Sequence, residues 1–388
     1  MQNIHKAIKP LLDTKTYTNS AVPQAYSGAN VVSGGTTGNV IVNANYQFNC
    51  KLVKIDDNTI YCYNRLGEDI ANFNTVVTPM LGSIVKRVFD VPSKSWSSSD
   101  IVIYNAPTQW SIQSFKVYVV DGSIWIYATK FVRANYPSAN GCVNVLFKST
   151  DGLIGESFTE TSIGFDGQFL DIWFLGTAQN GSKFLIVANG APTLQMLRST
   201  DGGNTFTQDL SVNFNTGTTY ITEGQFIQLQ ETPNVIIGVL RDNKNNYLLE
   251  QVSNDYGLTW SNPIISTGLG ASGGNKVTPK IIRAANNPAS VVLYFNDRGT
   301  GNRSCMSGIT SIANFKANVH NPVYLLGTGY SQGNGDFLCI DEKKQLYLVV
   351  TYLAVPNASG VPSPSNTNTI WFLFQDNYTK SLSPTPYQ

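Results

Sequence analysis

Two eight-residue stretches, far apart in the chain, share one pattern. Ser199-Thr200-Asp201-Gly202-Gly203-Asn204-Thr205-Phe206 and Ser253-Asn254-Asp255-Tyr256-Gly257-Leu258-Thr259-Trp260 both read S-x-D-x-G-x-T-[FW]. The same turn at the same place in successive units is the signature of a repeating fold. A looser copy, Ser149-Thr150-Asp151-Gly152 with Phe158 after it, sets Asp151 50 residues before Asp201, and Asp255 follows 54 residues after that. A weaker fourth copy, Asp90 followed by Trp96, has Pro92 where the turn glycine would be. The pattern predicts a β-turn whose Asp carboxylate accepts backbone N–H groups, whose Gly supplies positive φ, and whose aromatic packs back on the sheet. Asp151, Asp201 and Asp255 are therefore read as structural.

Ahead of each copy lies a pair of apolar runs around a polar turn, the pattern of a β-hairpin. Residues 170–190 and 225–243 show it, as do 51–65, 114–131, 280–297 and 336–353. Six units of about 50 residues predict an all-β fold, a six-bladed β-propeller of four-stranded antiparallel blades over residues 41–388. A pair of sandwiches is the rival all-β reading, but it does not place one turn motif at one point of successive units. The roughly 80 residues between Asp69 and Asp151 are read as the outer half of one blade plus the whole of the next, the alternative being an insertion over one face. Composition agrees with short strands and tight turns: of 388 residues 33 are Gly, 17 Pro, 19 Tyr and 19 Phe, and only 13% are charged. Residues 1–40, rich in Gly, Ser, Thr and Asn, are read as an attachment arm.

With 26 Lys and Arg against 25 Asp and Glu, nothing favours nucleic acid or an acidic membrane as partner. No apolar stretch is long enough to span a bilayer and no leader is visible, which leaves a cytoplasmic, an extracellular or a virion-associated location open. The five cysteines, Cys50, Cys62, Cys142, Cys305 and Cys339, form no C-x-x-C pair and are read as buried thiols. Two histidines, His5 and His320, are too few for a His-based metal centre, and no EF-hand spacing is present. No cofactor or metal is expected.

The S-x-D-x-G-x-T-W element is the Asp-box, and its occurrence on a propeller of six units resembles the sialidase (neuraminidase) superfamily, whose members carry these BNR repeats. Asp-boxes also occur in other glycosidases, in sorting receptors and in phage proteins, so the motif implies fold before chemistry. The resemblance implies a retaining glycosidase with a tyrosine nucleophile, an exception to the two-carboxylate scheme. A Glu then draws the proton from a Tyr hydroxyl of ordinary pKa about 10, an Asp serves as acid and base, and arginines hold the substrate carboxylate through paired hydrogen bonds.

Carried over residue by residue, the frame Tyr46-Gln47-Phe48-Asn49 puts Gln47 where the family has its first carboxylate-binding Arg. Losing that Arg removes contacts worth about 1.5–3 kcal/mol per charged hydrogen bond. Lys51 or Arg87 could substitute from another direction. Arg65 and Asp69 fall at the sugar-contacting Arg and the acid/base, with Glu68 adjacent; the plain alternative is a polar hairpin loop with an ion pair. Glu223 and Arg241 match the family's fourth unit, where the plain alternative is an exposed Glu and a loop Arg beside Asp242. Arg303, with Arg298 as competitor, is placed as the third substrate-binding Arg, and Tyr330 as the nucleophile.

Three functions follow. The first is a glycan-recognition propeller that binds a cell-surface, sialic acid-like or neutral sugar without efficient hydrolysis, the composition resembling phage tail and receptor-binding proteins whose arm could support an oligomer. The second is an active exo-α-sialidase built on Tyr330, Glu223 and Asp69. The third is a structural or protein-binding propeller.

Overall fold

The computed structural model describes residues 31–35, 47–66, 82–107, 109–135, 138–189, 193–214, 221–245, 247–266, 276–284, 287–297, 303–309, 323–325, 331–343, 346–356 and 362–375. These form antiparallel sheets with almost no helix. A short strand, β1 (Val31–Gly35), precedes the first sheet, β2 (Gln47–Lys54), β3 (Thr59–Leu66), β4 (Ile84–Asp90) and β5 (Ser95–Trp96), in which β6 (Ile101–Tyr104) also pairs with β4. The second sheet is β7 (Trp110–Val120), β8 (Ser123–Val132), β9 (Val143–Ser149) and β10 (Phe158–Ser162). The third is β11 (Leu170–Thr177), β12 (Lys183–Asn189), β13 (Thr193–Arg198) and β14 (Thr207–Gln208), and the fourth β15 (Ile221–Gln228), β16 (Ile236–Asp242), β17 (Tyr247–Ser253) and β18 (Ile264–Ile265). The fifth is β19 (Lys276–Ala284), β20 (Asn287–Asp297), β21 (Arg303–Ile309) and β22 (Val323–Leu325). The last holds β23 (Ser331–Asp341), β24 (Leu346–Pro356) and β25 (Pro362–Gln375), and β1 pairs with β25 as its fourth strand.

Each hairpin expected from sequence is the first strand pair of one sheet. Val31–Gly35, within the stretch expected to be an attachment arm, pairs with β25 in the last sheet; residues 1–30 and 36–46 lie outside the described residues. Pairing of β1 with a strand more than 330 positions away supplies the outermost strand of the last sheet from the other end of the chain. Between Asp69 and Asp151, the described residues are the outer strands of the first sheet and most of the second, as expected; residues 67–81 lie outside the description.

Apolar side chains pack between neighbouring sheets rather than inside one. Tyr63, Ile84, Phe115 and Ile126 join the first sheet to the second, Tyr127, Leu146, Ile172 and Leu185 the second to the third, and Phe184, Met196, Phe226 and Trp260 the third to the fourth. Val239, Leu248, Ile281 and Phe295 join the fourth to the fifth. Tyr294 and Phe337 meet across the fifth and last at 5.6 Å between ring centroids, and Cys62, Phe89, Leu348 and Val350 return the ring to its start. Each such side chain, fully buried, contributes about 1.5–3 kcal/mol. A closed ring with its six first strands innermost is a β-propeller.

The repeated turns join the third strand of a blade to its outermost one. Asp201 accepts the backbone N–H groups of Asn204 and Thr205 and the hydroxyls of Ser199 and Thr205. Asp255 does the same with Thr259 and Ser253, and Asp151 accepts Gly155, Glu156 and Ser157 N–H. Asp90, in the weakest copy, accepts Ser93 N–H at 2.8 Å. The turns also tie blades together: Tyr127 donates to the Gly203 carbonyl at 2.8 Å, and a Cβ on Gly203 would stand 2.8 Å from Trp125 of the preceding blade, so only glycine fits that approach.

Candidate functional site at the propeller axis

All six innermost strands carry a register shift early in their course: Phe48/Lys51, Ile112/Ser114, Ile172/Phe174, Ile221/Glu223, Val277/Lys280 and Ser331/Gly333. The second-to-third pairings β3–β4, β8–β9, β12–β13, β16–β17 and β20–β21 have none. A bulge inserts a residue, bends the strand and re-aims its side chains, and bulges concentrate beside functional sites. Here they ring one end of the axis.

Two cavities stack along that axis. The one nearer the strand starts, about 60 Å³, is bordered by Ser114, Asp171, Glu223 and Thr278; the larger, about 520 Å³, runs along the later halves of the strands past Tyr118, Leu175, Gln228 and Leu338. Lys51, Lys116, Trp173 and Lys280 border both.

Glu223 and Arg241 stand opposite each other in the β15–β16 register, and Arg241 Nη1 donates to Glu223 Oε1 at 3.0 Å. The other carboxylate oxygen accepts the Thr278 N–H from the next blade. Thr278 has φ +51° and precedes Pro279, two features that oppose each other: a β-branched residue rarely enters the left-handed region, and a following proline favours extended backbone. That strain is held beside the axis, where Glu223 accepts the strained amide.

The other expected site residues fall as follows. Arg65 ends β3 but turns into the protein: it is 2% exposed, and its Nη1 donates to the carbonyls of Ile112 and Gln113 on β7. The guanidinium ties the first blade to the second. Arg87 lies on β4, third from the axis, buried in an ion pair with Asp100, so it does not replace the missing arginine. Lys51 does reach the axis. Gln47 opens β2 with its backbone opposite Leu66, and Arg303 opens β21 opposite Asp297. Asp69, Glu68, Arg298 and Tyr330 lie outside the described residues. By strand direction Gln47, Arg65, Glu223, Arg241 and Arg303 share the end of the propeller where the smaller cavity lies.

A set of axial residues escaped the sequence reading. Each innermost strand places one residue just before two apolar ones: Lys51-Leu52-Val53, Lys116-Val117-Tyr118, Trp173-Phe174-Leu175, Gln225-Phe226-Ile227, Lys280-Ile281-Ile282 and Asp336-Phe337-Leu338. All six first members line the larger cavity, forming a ring. The recurring offset was the available signal, obscured because the six members differ in charge and size.

Burial pushes the Lys51 amine down, Lys280 pushes it further, and Asp336 and Asp171 only partly oppose this, leaving it at about 7. Lys116 is likewise held well below the usual lysine range by burial and then by Lys280 and Lys51. The two carboxylates are engaged by neutral donors: Asp336 accepts Leu52 N–H at 2.9 Å and Asp171 accepts Trp173 Nε1–H at 2.8 Å. Among the described residues no group of three or more His, Cys, Asp or Glu gathers to hold a metal ion.

This geometry defines a propeller with a polar, partly strained axial mouth above a cationic ring, and its fold is sialidase-like. Similar solved structures include a protein of unknown function from Dyadobacter fermentans, with a TM-score of 0.66 at 17% identity over 89% of this chain and 98% of that one. The NanB sialidase from Streptococcus pneumoniae gives 0.58 at 13% over 87% of this chain and 69% of that one, and the Hadza microbial sialidase Hz136 gives 0.61 at 15% over 86% and 66%. The sequence matches no protein-family model and no curated protein.

Proposed function

We propose that this chain is a sialidase-like glycan-recognition propeller that binds a cell-surface sugar, sialic acid-like in its acidity, at the strand-start end of its axis. The observation that carries this reading is Glu223 held against Arg241 beside the axial cavity, in the blade where the sialidase pattern has both residues. Asp-box turns at Asp151, Asp201 and Asp255, the low charge and the abundance of Asn and Tyr support a receptor-binding role on a virion or phage tail, outside the cell. Gln47 in place of an arginine, Arg65 committed to backbone carbonyls and Arg241 committed to Glu223 favour binding over turnover. Arg303, Asp69 and Tyr330 complete the proposed site.

The second reading, a working exo-α-sialidase, draws on the order of Asp69, Glu223, Arg241, Arg303 and Tyr330 along the chain. In it Glu223 is the base for Tyr330, and Asp69 the acid and base at the glycosidic oxygen. Hydrolysis of a fluorogenic sialic acid glycoside separates the two. The binding reading expects no turnover by the natural chain and a gain in Gln47→Arg; turnover lost in Tyr330→Phe establishes the enzyme instead.

A further inference from the structure

Three of the six ring positions are lysines, from the first, second and fifth blades, and they do not meet the usual fate of buried cations. Lys51 is 7% exposed and Lys280 6%, yet among the described residues neither amine makes a hydrogen bond or an ion pair, nor does that of the half-buried Lys116. Elsewhere in the same protein buried cations are matched: Lys86 donates to Glu156 and the Ile154 carbonyl, and Arg87 pairs with Asp100. A buried lysine without a partner carries its proton only at a cost of several kcal/mol and is pressed towards the neutral amine, which an anion beside it would reverse. Asp171 and Asp336 stand near enough to act on the lysines electrostatically, but neither forms an ion pair with them: Asp336 accepts the Leu52 and Phe337 N–H groups, Asp171 accepts Trp173 Nε1–H, and the two carboxylates are outnumbered by three lysines. The remaining ring members, Trp173 and Gln225, bring no charge.

We propose that the lysine ring is a binding site for a tetrahedral oxyanion, a phosphate or sulfate group, held in the axial cavity by Lys51, Lys116 and Lys280. Three lysines from different blades line the one cavity, and an anion there would draw protons onto their amines; a tetrahedral oxyanion offers an oxygen to all three, whereas a carboxylate offers two. Its second negative charge answers the excess of lysines over carboxylates. The cavity of about 520 Å³ exceeds one such ion, so the group enters either free or as the ester of a larger molecule lying along the later halves of the strands. The same three lysines also border the smaller cavity beside Glu223, so the site adjoins the proposed sugar-binding mouth.

Calorimetric titration of the full chain with inorganic phosphate and inorganic sulfate, at constant ionic strength against chloride, tests this directly. The expected result is saturable binding of one ion per chain, weakened about tenfold or more in Lys280→Met and in Lys51→Met and unchanged in Lys94→Gln, an exposed turn lysine. Glucose 6-phosphate tighter than inorganic phosphate identifies an ester as the ligand; the reverse order identifies the free ion. Should either Met variant fail to fold, amine acylation of the natural chain followed by mass spectrometry gives the same answer: sulfate protects Lys51, Lys116 and Lys280 and leaves Lys94 as reactive as before. No binding above chloride, equal weakening in Lys94→Gln, or no selective protection would overturn the proposal.

Discussion

Glu223 and Arg241 face each other across one hairpin, 3.0 Å apart, and the Glu223 carboxylate reaches on to the strained Thr278 amide of the neighbouring blade. One side chain thus holds together a largely buried guanidinium and an unfavourable backbone conformation. Glu223→Ala leaves the Arg241 head, only 12% exposed, without its carboxylate and the Thr278 N–H without its acceptor. The expected cost is about 2 kcal/mol in urea unfolding, with Glu223→Gln recovering part of it by still accepting from Thr278. An unchanged midpoint in Glu223→Ala would show that the pair does not organise the mouth.

Gly224, next to Glu223, lets β15 pass close to a fixed tryptophan. A Cβ there would lie 2.7 Å from Trp173 and 2.8 Å from Leu240, and Trp173 is buried and pinned through Asp171. Gly224→Ala is expected to destabilise by about 1–3 kcal/mol through overpacking and to shift the Trp173 indole fluorescence. Fluorescence-detected thermal unfolding reads both at once.

The turn at Asp201 sets an acid limit on stability. Burial, the largest single influence, raises the carboxyl, but the Thr205 N–H and hydroxyl, the Ser199 hydroxyl and the Asn204 N–H together outweigh it and bring it to about 2, below its ordinary 3.8. The unfolded chain therefore binds its proton first as pH falls. The stabilisation is whole above about pH 4 and disappears as pH drops through about 2. Asp201→Asn should lower the melting temperature at pH 6 and converge on the natural chain near pH 2; a constant difference across that range would contradict the assignment.

Lys51 works in the opposite sense. Its amine falls from the ordinary 10.5 to about 7 on folding, so between those values the unfolded chain carries a proton that the folded chain lacks, and stability rises with pH through the window. In chloride buffer, Lys51→Met is expected to be more stable than the natural chain by about 1–4 kcal/mol at pH 6, and to lose that advantage towards pH 10.5. Denaturant midpoints at four or five pH values check the slope as well as the sign.

The parts of this molecule written in local pattern were legible before any coordinates. Six hairpins follow from paired apolar runs, and the turns at Asp151, Asp201 and Asp255 from one carboxylate positioned over a few backbone amides. Long-range relationships were not. Nothing in Val31–Gly35 announces pairing with β25, because an edge strand's partner is chosen by the geometry of ring closure. Arg65 sits where a sugar-contacting arginine belongs in sequence, yet the carbonyls of Ile112 and Gln113 capture it from the next blade, a contact that no spacing along the chain encodes. Lys51 stood out in sequence only as a possible stand-in for an arginine, and Lys116 and Lys280 not at all, because each is one residue per blade and only closure of the ring brings the three together.

The most direct test of sugar recognition at the axial mouth is a glycan array probed with the natural chain and with Arg241→Ala, both checked for folding by circular dichroism. Recognition at this mouth predicts binding to a restricted set of acidic glycans and its loss in Arg241→Ala. Binding to none, or an identical pattern with and without the Arg241 guanidinium, would contradict it.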